Sequence, residues 1–334
     1  MKAHLKNLAI SAANQLGVHR HHFRGESKLW ILMYHRILPA DDLRYALEEP
    51  GMIVEPDTFG MHLREAKKHF DVLDFSEWLN LKNAGEKLPK RACVITFDDG
   101  WYDNVEFALP IIKQEQVPIT LFTVVEKIGT DFQFWPNLIS ALLASHAVPA
   151  MQSHPLFAQA LAQVPDTDDT NNREYMAAVI HKLKQSSDGA IFEALDTINW
   201  RSHLAFELPR GLMDWDDVRT MQSSGLVSIG SHTCNHKRLN ASLTAKDLHH
   251  EVVVSKQLLA TKVDKSVDIF CFPNGDYNPA ALESVTETYG AAVTTKRGIV
   301  NATTADLHQL TRIGLHQHIS DTPRTFGARL SGWI

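Results

Sequence analysis

Two neighbouring carboxylates, Asp98 and Asp99, close the apolar run Arg91-Ala92-Cys93-Val94-Ile95-Thr96-Phe97 and are followed by Gly100 and Trp101. If both were ionised in a dry site they would repel strongly, so the pair calls for a cation beside it or a proton on one member. A second apolar run, Leu226-Val227-Ser228-Ile229-Gly230, leads into His232-Thr233-Cys234-Asn235-His236, in which three residues separate the two imidazoles. One or two carboxylates with two imidazoles is a donor set suited to a catalytic divalent metal that keeps a position open for water. A metal with such an open position acidifies the water it binds. Cys234, between the histidines, reads as a small packing residue.

These groups must be delivered by strands. Apolar, β-branched runs that end abruptly in polar residues are buried parallel strands, and parallel α/β folds keep their chemistry at the carboxyl ends of such strands. Further runs of this type are Leu29-Tyr34, ending at His35 and Arg36, then 117–124, 266–272, 291–295 and 310–315. Helical spacing marks 56–69, 76–83, a helix from Asp103 kinked at Pro110, 215–224, 244–263 and 279–288. The alternation predicts a parallel α/β core. Between 131 and 212 no strand is legible and short helices are separated by Asp- and Asn-rich turns, which indicates a helical insertion with Phe132, Phe134 and Trp135 packed at its root. The expected divisions are an N-terminal helical segment 1–27, barrel halves 28–130 and 213–334, and the insertion 131–212.

Composition narrows the function. With 334 residues, 44% of them hydrophobic and 22% charged, the chain has the makeup of an ordinary globular protein. A formal charge of -6 argues against nucleic acid as a partner. Three scattered cysteines suit a reducing compartment, and no apolar stretch is long enough for a membrane span. Leu5, Leu8, Ala9, Ala12 and Leu16 fall at helical spacing, so the N-terminus reads as an amphipathic helix rather than a leader, and the cytoplasm is the expected location.

Thr96-Phe97-Asp98-Asp99-Gly100 and His232-Thr233-Cys234-Asn235-His236 resemble the first two motifs of the polysaccharide deacetylases of carbohydrate esterase family four, over roughly 28–130 and 213–318. The resemblance implies a distorted (β/α) barrel of about seven parallel strands. It also implies a divalent metal, Zn2+ foremost, held by Asp99, His232 and His236, with Asp98 as general base. The family's third motif, Arg-x-Pro-Tyr-Gly, appears as Cys271-Phe272-Pro273-Asn274-Gly275, without the arginine that anchors the base, while the Asn274 backbone N–H could still serve the oxyanion. The implied acid is a histidine on a late strand: His316 is the best match, with His318 and His35 as alternatives. Trp101, Tyr277, Asn274 and His35 are the candidate substrate contacts. Tyr34-His35-Arg36 resembles the subgroup of exopolysaccharide and lipopolysaccharide biosynthesis. The implied partner is an acetylated aminosugar glycan or its precursor, and the reaction is N-deacetylation. The alternatives are an O-acetyl esterase, or a carbohydrate-binding protein that keeps the fold without turnover, a reading favoured by the missing arginine. Phosphoryl transfer from Asp98 finds no glycine-rich phosphate loop in support.

Overall fold

The computed structural model describes residues 26–165, 167, 169–240, 243–264 and 266–332; the expected N-terminal helix lies outside them. Eleven strands follow in order: β1 Lys28–Tyr34, β2 Arg36–Ile37, β3 Ile53–Val54, β4 Asp71–Val72, β5 Arg91–Phe97, β6 Ile119–Thr123, β7 Val227–Ser231, β8 Ser266–Cys271, β9 Ala291–Arg297, β10 Val300–Asn301 and β11 Leu310–Gly314. Seven of them, β1, β5, β6, β7, β8, β9 and β11, are joined by parallel pairings. Because β1 pairs with both β5 and β11, the ring closes into a (β/α) barrel. The two-residue strands β4 and β10 extend it, and β2 pairs with β3 apart from it.

Alternation along the strands sorts side chains between two apolar layers. Leu29, Ile31, Ala92, Val94, Phe122, Ile269, Cys271, Ala291, Val293 and Leu310 cluster on the inward face. Trp30, Leu32, Tyr34, Ile95, Phe97 and Leu121 form the other layer with helical residues such as Phe59, Leu63 and Ile112. The inward parity that runs through Ala92 and Val94 continues to Thr96 and Asp98. On β11 it runs through Leu310 to Arg312.

The helix from Asp103 does not simply kink at Pro110. It begins as a π-turn, Asn104–Ala108, before the α-helix Leu109–Glu115. Proline has no N–H to give the i→i+4 ladder, and the wider turn accommodates that gap. The helix expected over 244–263 likewise holds a π-turn, His250–Val254, between α-helices Ala245–His249 and Ser255–Lys262.

Between β6 and β7 come the helices Trp135–Ala144, Val148–Gln152, Pro155–Leu161, Arg173–Leu183 and Asp188–Thr197. They have an apolar centre of their own, including Leu138, Leu142, Phe157, Ile180 and Ile191. Among the described residues no helix is long and apolar enough to cross a membrane.

Candidate active site

The strand tips are tied together by the backbone. Asp98 N–H donates to the Tyr34 carbonyl at 3.0 Å, and His232 N–H to the Thr123 carbonyl at 2.9 Å, so the ends of β1 and β5, and of β6 and β7, are held in register. Asp99, Thr233 and His236 have φ of +76°, +68° and +60°, left-handed conformations in which non-glycine residues are strained. The reversal at Asp99 sends the two adjacent carboxylates to different partners.

Asp99 turns to the imidazoles. Its Oδ1 lies 3.4 Å from His232 Nε2 and 3.5 Å from His236 Nε2, and one donor atom from each of the three lies within 4.8 Å of the others. His232 Nδ1 donates to the Cys271 carbonyl at 2.8 Å, which orients the ring so that Nε2 faces Asp99. Trp101 Nε1 donates to Asp99 Oδ2 at 2.9 Å, and the Trp101 ring lies 4.1 Å beneath the Arg36 guanidinium. His236 N–H donates to Thr233 Oγ1 at 2.8 Å, and the Asn235 backbone N–H to Glu251 Oε2 at 2.8 Å. The buried Glu251, carried by the second π-turn, thereby pins the histidine loop. Burial pushes the His236 ring down to about 4, keeping it neutral as a ligand must be. Burial also opposes charge on His232, but Cys271, the Asp99 hydrogen bond and the Asp98 charge outweigh it and raise this ring. Burial would raise Asp99 too, yet the hydrogen bond from His232 and the neighbouring His236 and His35 rings hold it well below the usual carboxylate range. The donor set therefore fits a divalent cation: an ionised carboxylate and two oriented nitrogens.

Asp98 turns to an arginine that the sequence reading missed. Arg312 Nη1 and Nη2 each donate to one Asp98 oxygen at 2.7 Å, a bidentate pair. The guanidinium is completed by Thr96 Oγ1 at 3.2 Å, Cys271 Sγ at 3.2 Å and, from Nε, the Thr294 carbonyl at 2.9 Å. Arg312 is 1% exposed. Burial alone would raise the Asp98 carboxyl, but Arg312 outweighs it and holds Asp98 ionised. The position where the third motif carries arginine is thus filled by the smaller Cys271, and the cation arrives from β11 instead.

A cavity of about 700 Å³ opens on this centre, lined at its base by His35, Asp98, Asp99, Trp101, His232 and His236. His35 Nε2 lies 3.8 Å from Asp98 Oδ2, and its carbonyl accepts from Asn104 Nδ2 at 2.9 Å. Asn274, at φ +55°, also lines the cavity; the next residue, Gly275, must be glycine because a Cβ there would meet Thr295 Oγ1 at 2.2 Å. His316 is half-buried and is not among the lining residues; its Nδ1 has no hydrogen-bond partner among the described residues, and burial with nearby Arg329 lowers the ring to about 4. His318 is exposed, with its ring 6.4 Å from that of His316. Tyr277 also stands outside the cavity, its ring 4.6 Å from Phe272 and its hydroxyl donating to Gln309 at 2.7 Å. Phe132, Phe134 and Trp135 pack at the base of the helical stretch as expected and in addition face the cavity.

The sequence profile described as polysaccharide deacetylase matches residues 85–292. This chain belongs to the polysaccharide deacetylase family. This chain is 25% identical over 275 residues to the Bacillus subtilis protein YxkH, itself assigned to the polysaccharide deacetylases; the match covers 81% of this chain and 66% of that protein. Its fold is similar to that of the Streptococcus pyogenes deacetylase PplD, solved in complex with acetate, with TM-score 0.60 and 19% identity over 92% of this chain and 99% of that one. It is also similar to IcaB from Ammonifex degensii, with TM-score 0.54 and 16% identity over 93% and 97% of the two chains.

Proposed function

We propose that the protein is a metal-dependent deacetylase that releases acetate from N-acetylated aminosugars of a surface or extracellular polysaccharide or its precursor. The observation that carries this reading is the division of labour between Asp99, which faces two oriented imidazoles, and Asp98, which is held ionised by Arg312. The Tyr34-His35-Arg36 tip supports the choice of polysaccharide class.

Asp99, His232 and His236 would hold the ion, Zn2+ first among candidates for one carboxylate and two imidazoles. When bound there, a divalent ion polarises the acetyl carbonyl and acidifies water. The chain supplies the proton traffic. Asp98 accepts the proton from water as its oxygen bonds to the acetyl carbon. Arg312 keeps that carboxylate fixed and charged until the proton arrives. As the carbon–nitrogen bond breaks, the departing sugar nitrogen needs a proton, and His35 is the imidazole that lines the cavity beside Asp98. Acetate and the free amine then leave. The turnover-free binding reading loses its motive, since the cation absent at Cys271 is present at Arg312.

Two variants test the division. Asp98→Asn is expected to retain metal and lose turnover, whereas His232→Ala loses both. Metal content and acetate release are read on each, and loss of metal in both, or turnover in Asp98→Asn, contradicts the assignment.

A further inference from the structure

The helical stretch is fastened to the barrel mouth at two separate places. Lys184 Nζ donates to both carboxylate oxygens of Glu49, at 2.9 and 3.0 Å, Asn137 Nδ2 to Glu48 Oε2 at 2.8 Å and Arg173 Nε to the Glu48 carbonyl at 3.0 Å, tying the stretch to the segment between β1 and β4. On the other side Arg238, just beyond the tip of β7, donates from Nη2 to Asp188 at 3.0 Å and from Nη1 to the Lys184 carbonyl at 3.2 Å. Trp135 Nε1 donates to the same Asp188 oxygen at 2.9 Å. In the ring order β1, β5, β6, β7, these ties stand at the two ends of one arc, and β5 with its Asp98-Asp99 tip lies inside that arc. Within the arc the stretch also meets the β5 tip: Tyr102 N–H donates to the Gly211 carbonyl at 2.9 Å, and Phe134 packs on Trp101 with ring centroids 4.9 Å apart. Lys184, Asp188 and Phe192 consequently face the same cavity as Asp98 and His236. On the opposite arc the lining residues Asn274 and Thr295 are exposed.

We infer that this one-sided wall makes the protein act on the end unit of an acetylated glycan, or on a short glycoside, and not on internal units of a long chain. The inference rests on the deacetylase reading above. A linear chain bound through an internal unit must leave the reacting position in two directions, and here one of them is occupied by helices held to both flanks. What remains is a cavity of about 700 Å³, within the range of small-molecule sites. Phe132 and Phe192, with centroids 6.0 Å apart, present apolar faces of the kind that cover the C–H face of one sugar ring.

The test uses the full chain loaded with Zn2+ and β-1,4-linked N-acetylglucosamine oligomers of increasing length, together with a soluble polymer of the same unit. The positions that lose acetyl are read by tandem mass spectrometry after labelling of the reducing end. One terminal unit is expected to be deacetylated in every oligomer, and the polymer to release acetate at least about tenfold more slowly per acetyl group. The quadruple variant Asn137→Ala, Arg173→Ala, Lys184→Ala and Arg238→Ala removes the side-chain ties on both flanks, and its ratio of internal to terminal deacetylation is expected to rise severalfold. Internal deacetylation by the unaltered protein, or an unchanged ratio in a quadruple variant that still melts cooperatively, overturns the inference. Absence of acetate from every glycan, short or long, defeats the deacetylase reading itself and not the role of the wall.

Discussion

The barrel and the helices over its mouth place their charges in different settings. In the barrel the charged groups that matter are buried and held in several directions at once: Arg312 makes five hydrogen bonds and lies inside the strands. The helical stretch keeps an apolar centre of its own and meets the barrel partly through ion pairs such as Lys184–Glu49, with side chains still open to solvent. Proton transfer depends on position and on a low local dielectric, so it belongs where closed strands overdetermine the backbone. Selection among substrates tolerates a softer attachment, and such contacts change with little cost to the fold.

The largest expected effect tests the rigid half. Arg312→Met leaves Asp98 buried without its partner, which costs about 3–5 kcal/mol of stability, and turnover should fall by roughly 10²- to 10⁴-fold as the base loses its anchor. Without the guanidinium the Asp98 carboxyl rises from its depressed position, so the acidic limb of kcat/KM moves to higher pH. Denaturant melts and a pH–rate profile measure both effects, and an unshifted limb would separate Arg312 from the base.

Next comes the helical half. Phe157 is fully buried there, and Phe157→Ala should cost about 3–5 kcal/mol while metal content and the pH–rate profile stay as they were. Loss of metal along with the helical core would show that the two regions share one fate.

A smaller effect separates the halves by acid. His62, under the barrel's outer layer, is bonded to Tyr34 Oη at 3.1 Å and to the Ser320 carbonyl at 2.6 Å, and burial pushes it down to about 4. The unfolded chain takes up this proton near 6.5 and the native state does not. Its stability is therefore complete above that pH and declines as pH falls toward 4, by about 3 kcal/mol in all. His62→Phe should flatten that decline in urea melts at stepped pH. The smallest effect is expected for Lys184→Ala alone, about 0–1 kcal/mol, read by the same melts at pH 7.

Much of this was legible in the chain. Apolar runs ending in Asp98 and in His232 announce strand tips because they are short, rich in β-branched residues and cut off abruptly by polar ones. Strands such as β2, β4 and β10 were not legible, since two residues carry no periodicity. Arg312 is hidden for a specific reason: the run Leu310–Leu315 reads as a strand leading to His316, while a charged residue flanked by inward-facing apolar positions is itself a signal of a buried partner. The need for a cation beside two carboxylates was visible at once, but which strand supplies it depends on barrel closure, a long-range fact. Tyr277 was placed among the substrate contacts by its nearness in sequence to the Pro273-Asn274-Gly275 turn, yet its ring lies against Phe272.

Because the guanidinium that holds Asp98 arrives on β11, the last of the described strands, a polypeptide emerging from the ribosome carries Asp98, Asp99, His232 and His236 long before the proposed base has its partner. That partner arrives together with the seam between β11 and β1. Under the proposed mechanism, truncation short of Arg312 therefore leaves both signature motifs intact in a product without turnover.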